Sequence, residues 1–239
     1  MKYLRFFAVA VASCLLGLSV ARAQNYEPMD TWPYLVQDFV RGDIRMTNGN
    51  VLKSKEVNFN IIDGKLHYIE NGVIMSAEMV QVASVVTESA TYLNVWGRMM
   101  KVVASDEKGY VLRNVEVDKD KMAKTDIGYG ISSATASSQN VTSILGDSAT
   151  LLVNMDITQA LSKRAAGKVF PTMETLYLKI NSDILPATKK DVLYLSFVDK
   201  SAADAFFKAN KIKWKNEESL LKVVDFIHDL KEINYNKLQ

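Results

Sequence analysis

Three dipeptides set the fold class of this chain. Asn48-Gly49, Asp63-Gly64 and Asn71-Gly72 each lie between short runs of β-favouring residues. Such pairs suit two-residue hairpin turns, whose central positions need positive φ. The flanking runs are Asp38–Met46, Val51–Lys53, Val57–Ile62, Lys65–Glu70 and Val73–Ser76. Val80–Thr87, Tyr92–Trp96, Met99–Ala104 and Tyr110–Val117 continue the series, and Asp106-Glu107-Lys108-Gly109 closes its last hairpin. The short turns leave no room for helical crossovers, so the strands are expected to pair antiparallel. The expected fold is α+β: an antiparallel meander, either a sandwich or a partly open barrel, followed by a C-terminal helical segment.

Asp118 to Thr150 breaks the rhythm. It opens with four charges and turns Ser/Thr/Ala/Gly-rich from Gly128 to Ser143. With little apolar surface to offset ordering entropy, residues 118–150 are expected to be a flexible loop. Leu151–Ile157 and Thr175–Ile180 read as strands, with a short strand at Ile184–Pro186 after Asn181-Ser182-Asp183. Residues 188–239 change period. Thr188 with Asp191, and Ser201 with Asp204, have capping-box spacing, and Asn216 precedes Glu217 and Glu218 as a third cap. The last helix repeats apolar residues at Leu220, Val223, Val224, Ile227 and Leu230, a stripe with a cover role. Val192–Val198 reads as either helix or strand. The domain reading is therefore a signal at 1–23, a β domain at 24–187 and a helical segment at 188–239.

The first 23 residues read as an export signal. Lys2 and Arg5 form a positive start, Phe6–Val20 an apolar run, and Ala21-Arg22-Ala23 an A-x-A cleavage site. Val11-Ala12-Ser13-Cys14 gives the alternative, a lipobox with a lipidated Cys14, although Leu15–Leu18 continue the apolar run past it. No later stretch is long enough to span a bilayer as a helix. The whole chain has 29 basic and 27 acidic residues; without Lys2, Arg5 and Arg22 there are 26 against 27, a net charge of −1. Bulk charge then gives no case for nucleic acid. Cys14 is the single cysteine, so the chain beyond residue 23 has no disulfide, thiol catalysis or cysteine-ligated metal. Periplasm or cell surface is the expected location.

No catalytic, metal or cofactor motif emerges. His67 and His228 are the two histidines and lack zinc-site spacing. Ser105–Lys108 and Ser219–Lys222 match S-x-x-K, but one falls in a turn and the other inside a helix, where that nucleophile does not work. Gly128-Tyr129-Gly130 lacks the third glycine of a dinucleotide loop, and Asp118-Lys119-Asp120 lacks the distal glutamate of a calcium loop. Two sites remain. Lys208, Lys211, Lys213 and Lys215 surround Trp214, a composition that can hold an anionic glycan or lipid headgroup; the same residues also suit a helix end complementing its dipole. Ser148, in Asp147-Ser148-Ala149, fits a bacterial O-glycosylation pattern. Trp32-Pro33-Tyr34 either stacks on sugars or pins the chain onto the fold.

Several stretches together resemble a group of exported proteins of Bacteroides-type bacteria with no assigned activity. These are Ala23-Gln24, Asp38–Gly42, Val57–Asn60, Leu66–Ile69, Gly128–Gly130 and Thr188–Asp191. The resemblance implies an envelope location and brings no catalytic residue. The expected role is a non-enzymatic one, binding or structural, toward an envelope protein or glycan; the alternative is a hydrolase whose carboxylates meet only in the fold. N-terminal sequencing of protein recovered from a native envelope is expected to start at Gln24. A chain beginning at an acylated Cys14 would establish the lipoprotein.

Overall fold

The computed structural model describes residues 26–124, 145–146 and 150–237, and side chains within these except at 124 and 234–237. The signal segment with Cys14, the Gly128–Ser143 stretch and Ser148 lie outside the described residues. Ten strands form one antiparallel sheet. They are β1 Val40–Met46, β2 Val51–Phe59, β3 Leu66–Glu70, β4 Val73–Ser76, β5 Val82–Thr87, β6 Thr91–Val95, β7 Arg98–Ser105, β8 Tyr110–Val117, β9 Thr172–Ile180 and β10 Asp183–Pro186. The order is β10-β9-β8-β7-β6-β5-β1-β2-β3-β4, and the end strands do not pair with each other. Among the described residues five α-helices accompany it: α1 Lys119–Lys124, α2 Ile157–Lys163, α3 Lys189–Leu193, α4 Lys200–Ala209 and α5 Glu217–Lys237.

The hairpin dipeptides behave unequally. Asn71 (φ 51°) and Gly72 (φ 80°) both occupy the left-handed region, as the β3–β4 turn requires. At the other two pairs only the glycine does. A further turn of this geometry joins β6 to β7 through Trp96 (φ 53°) and Gly97 (φ 81°). Its first position holds an aromatic residue, so the dipeptide carried no turn signature. The expected strands Val51–Lys53 and Val57–Ile62 are one strand. The polar interruption is an irregularity in the ladder: Ser54 sits at φ 53° and its amide donates to Asp43 Oδ1 at 2.9 Å, opposite a register shift on β1.

Three expectations fail locally. Leu151–Ile157 is not a strand. Asn154 adopts φ 65°, and Asp156 caps α2 by accepting from the Thr158 and Gln159 amides. The segment instead lies along the free edge of β4, where Ile74 N donates to Met155 O and Asn154 N to Ile74 O. The 118–150 region is not loop throughout. α1 occupies Lys119–Lys124, and Met122 and Leu145 are buried with Ile61, Val117 and Phe170. Ser201 does not cap a helix. Asp199 does, accepting from Ala202 N at 2.7 Å, and Asp204 pairs with Lys189.

The C-terminal helices cover one face of the sheet. Successive strand residues point to opposite faces, so Val111, Leu178, Ile180 and Leu185 meet Leu220, Val223, Val224 and Ile227 of α5. Leu112, Tyr177 and Ile184 face the other way and pack with Val95 and Met100. Asn216 Oδ1 accepts from Ser219 N at 2.8 Å and starts α5 where expected. Thr188 Oγ1 likewise accepts from Asp191 N and starts α3. Ile227 is 1% exposed, whereas Leu230 is only partly buried. Ile227→Ala is therefore expected to cost about 2–5 kcal/mol, and Leu230→Ala less, as read by chemical denaturation.

Candidate functional site

The lysine-rich stretch predicted from sequence occupies the exit of α4. Residues 205–216 carry four lysines and no carboxylate. Asn210 closes the helix, and the chain turns twice before α5. Lys211 N donates to Lys208 O, Ile212 N to Phe207 O and Asn216 N to Lys213 O, while Lys213 N donates to Ser219 Oγ at 2.8 Å. The backbone of this knuckle is thus tied down locally. Phe207 is buried beneath it, and Trp214 packs edge-on against Phe207, ring centroids 5.1 Å apart. Lys208, Lys211, Lys213 and Lys215 are all exposed, and none pairs with a carboxylate among the described residues. The structure places the five residues in one knuckle but does not form a cage around the ring. Trp214 is half-buried and serves as the anchor from which the lysines fan out.

Beside the knuckle, Trp214 and Lys215 line an open cleft of about 370 Å³ with Arg113, Glu174 and Glu217. Arg113 is ion-paired to both glutamates, which leaves this wall one negative charge in excess. At the other end of α4 lies a feature that sequence reading missed. Tyr194, 74% exposed, follows α3, and its ring has the Lys190 and Lys200 ammoniums 5.8 and 5.9 Å from its centroid. Both lysines sit in the first turns of short helices, where the dipole disfavours a cation. Only folding shows that Lys200, ten residues after Lys190, reaches the same ring.

The remaining candidates have structural roles in this arrangement. Trp32 and Tyr34 are fully buried, which leaves them no face for a sugar. Trp32 Nε1 donates to Gln37 O at 2.8 Å, the Arg164 guanidinium lies 5.6 Å from the Trp32 ring centroid, and Arg164 pairs with Asp38. Tyr26, Met29, Trp32, Gln37, Arg164 and Val169 line an open cleft of about 390 Å³ at this clamp. Asn58 secures the same segment, donating to Val36 O and Asp38 O. His67 is buried with Nδ1 2.9 Å from the Tyr34 hydroxyl. Its Nε2 has no partner among the described residues.

His228, Asp229 and Glu232 cluster on α5, but Asp229 faces Nδ1 and Glu232 faces Nε2, at 3.5 and 3.9 Å. Both Asp229 oxygens already hold Lys108, which ties the β7–β8 turn to the helix. Burial and neighbouring Asp106 hold the Asp225 carboxyl above its ordinary value. Ser105–Lys108 spans the β7–β8 turn and Ser219–Lys222 lies within α5, as the sequence indicated.

Burial lowers His67 to about 4 from an ordinary value of 6.5, because a charged ring would lose its hydration inside the fold. Asp63 opposes the shift and Lys65 adds to it. As pH falls, the unfolded chain takes up this proton first. The contribution to stability is therefore complete above pH 6.5, declines between 6.5 and about 4, and totals on the order of 3 kcal/mol. Urea titrations across that window are expected to show this decline in the wild type and a shallower one in His67→Gln.

No family model, curated protein or solved structure matches this chain.

Proposed function

We propose that this chain is an exported, non-enzymatic envelope protein that binds an anionic partner through the knuckle of Lys208, Lys211, Lys213 and Lys215. Export rests on the positive start, the apolar run and Ala21-Arg22-Ala23. The binding reading rests on one observation: four unpaired ammoniums project from a locally bonded turn, held by Phe207 and Trp214, in a chain whose net charge without the signal is −1. A concentration of unpaired cations on a near-neutral protein gives a local positive potential that favours an anionic partner. Lys208 alone complements the α4 dipole; the three lysines beyond the helix have no such local purpose.

The same reading takes the sheet as a partly open barrel. In support, the β2–β3 turn reaches across to β7, where Met99 N donates to Gly64 O at 2.8 Å. The rival hydrolase reading finds one neighbouring acidic pair in Asp106 and Asp225, but Asp106 Oδ1 already accepts from Lys108 N and Gly109 N to hold the β7–β8 turn.

The purified protein is expected to be retained on immobilised dextran sulfate and released by salt. The variant K208E/K211E/K213E/K215E is expected to pass through unretained with a melting temperature lowered by at most a few degrees, since all four side chains are exposed and only Lys208 complements a helix dipole. Equal retention of both proteins would refute the assignment.

A further inference from the structure

We infer that the anionic partner is a phospholipid surface, met by the whole outer side of α4 and not by the knuckle alone. This rests on the binding reading above and names the occupant. Lys200, Asp204 and Lys208 recur every four residues and so share one face of α4. That face spans about 12 Å from Lys200 to Lys208. Asp204 at its centre is neutralised by Lys189 at 2.9 Å. The knuckle begins at one end, and Tyr194 stands exposed at the other.

The two ends differ in chemistry. Around Tyr194 the charges balance: Lys189, Lys190 and Lys200 face Asp191, Asp199 and Asp204. Each aspartate is engaged. Thr188 holds Asp191, the Ala202 amide holds Asp199 and Lys189 holds Asp204. The knuckle alone carries the net positive charge. The Tyr194 end instead offers an aromatic body with a polar tip, flanked by long lysine stems, the composition that settles at a membrane–water interface. Three amides of its turn are bonded back within the turn. Tyr194 N bonds back to Lys190 O and Asp191 O, Leu195 N to Val192 O and Val198 N to Leu195 O.

The cations are also all lysine. Ammoniums are point charges without the planar fork that arginine uses to grip one phosphate or carboxylate. Exposed lysines spread along the outer side of α4 and the turn beyond it match a field of many headgroups better than one defined anion. The charge complementarity therefore favours an anionic bilayer, with the knuckle supplying attraction and Tyr194 a salt-resistant anchor.

Co-sedimentation with phosphatidylcholine vesicles, with and without about 30% phosphatidylglycerol, tests this. The protein beginning at Gln24 is expected to bind only the anionic vesicles. K208E/K211E/K213E/K215E is expected to partition about tenfold or more weakly. Tyr194→Ala is expected to bind at low salt but to lose the fraction that resists about 0.5 M salt. Retention on dextran sulfate without binding to anionic vesicles would overturn the lipid assignment and leave a polyanionic glycan as the partner. Failure on both would remove the binding reading itself. Equal binding to both vesicle types would also overturn the lipid assignment, since charge would not select the surface.

Discussion

An open antiparallel sheet of ten strands has two edges and two faces, and most of this structure follows from closing them. A free edge presents unpaired amides and carbonyls that recruit other strands. At β4 the exposed edge is met by the segment before α2, which supplies Met155 O to Ile74 N. At β10 the strand is four residues long, contains Pro186 and runs directly into α3. Each device is local, and neither requires the sheet to close.

The faces are handled differently. The stripe on α5 buries Val111, Leu178 and Ile180, so the helical segment is part of the core. Ion pairs then fix its orientation. Lys108 reaches Asp229 from the β7–β8 turn, Arg113 reaches Glu217 from β8, and Asp183 receives Lys231 beside β10. These pairs are partly exposed and individually weak, but they bind three parts of the sheet to one helix. The basic knuckle inherits this rigidity because its base, Phe207 and Trp214, belongs to the same apolar cluster as α5.

The N-terminal clamp shows how buried polarity is tolerated. Asn58 satisfies three backbone groups of residues 36–38 and its own neighbour, Phe59 N. Tyr34 and His67 satisfy one another, leaving one ring nitrogen without a partner among the described residues. Burial pushes the Tyr34 phenol up and His67 down, so both stay neutral across ordinary pH. The clamp draws Trp32 and Tyr34 inward, and among the described residues the exposed aromatic side chains are elsewhere, at Trp96 (67% exposed), Tyr110 and Tyr194.

Period and turn chemistry were legible in the sequence because both are local. Alternation and the glycine pairs located all ten strands within a few residues, β2 as two pieces, and Thr188 and Asn216 located two helix starts. The α5 stripe was legible because a helix buries every third or fourth residue whatever it packs against. The lysines at 208–215 were visible as composition. Other features depended on contacts distant in sequence. Leu151–Ile157 looked like a strand until Asn154 and the β4 edge decided otherwise, and Trp96-Gly97 turned a hairpin without a turn dipeptide. Tyr194 could not be singled out, since its exposure and its second lysine both depend on how α3 packs beside α4. Local propensity is a property of the chain; burial, and the burial that leaves a lysine or tyrosine outside, is settled only by what the sheet brings together.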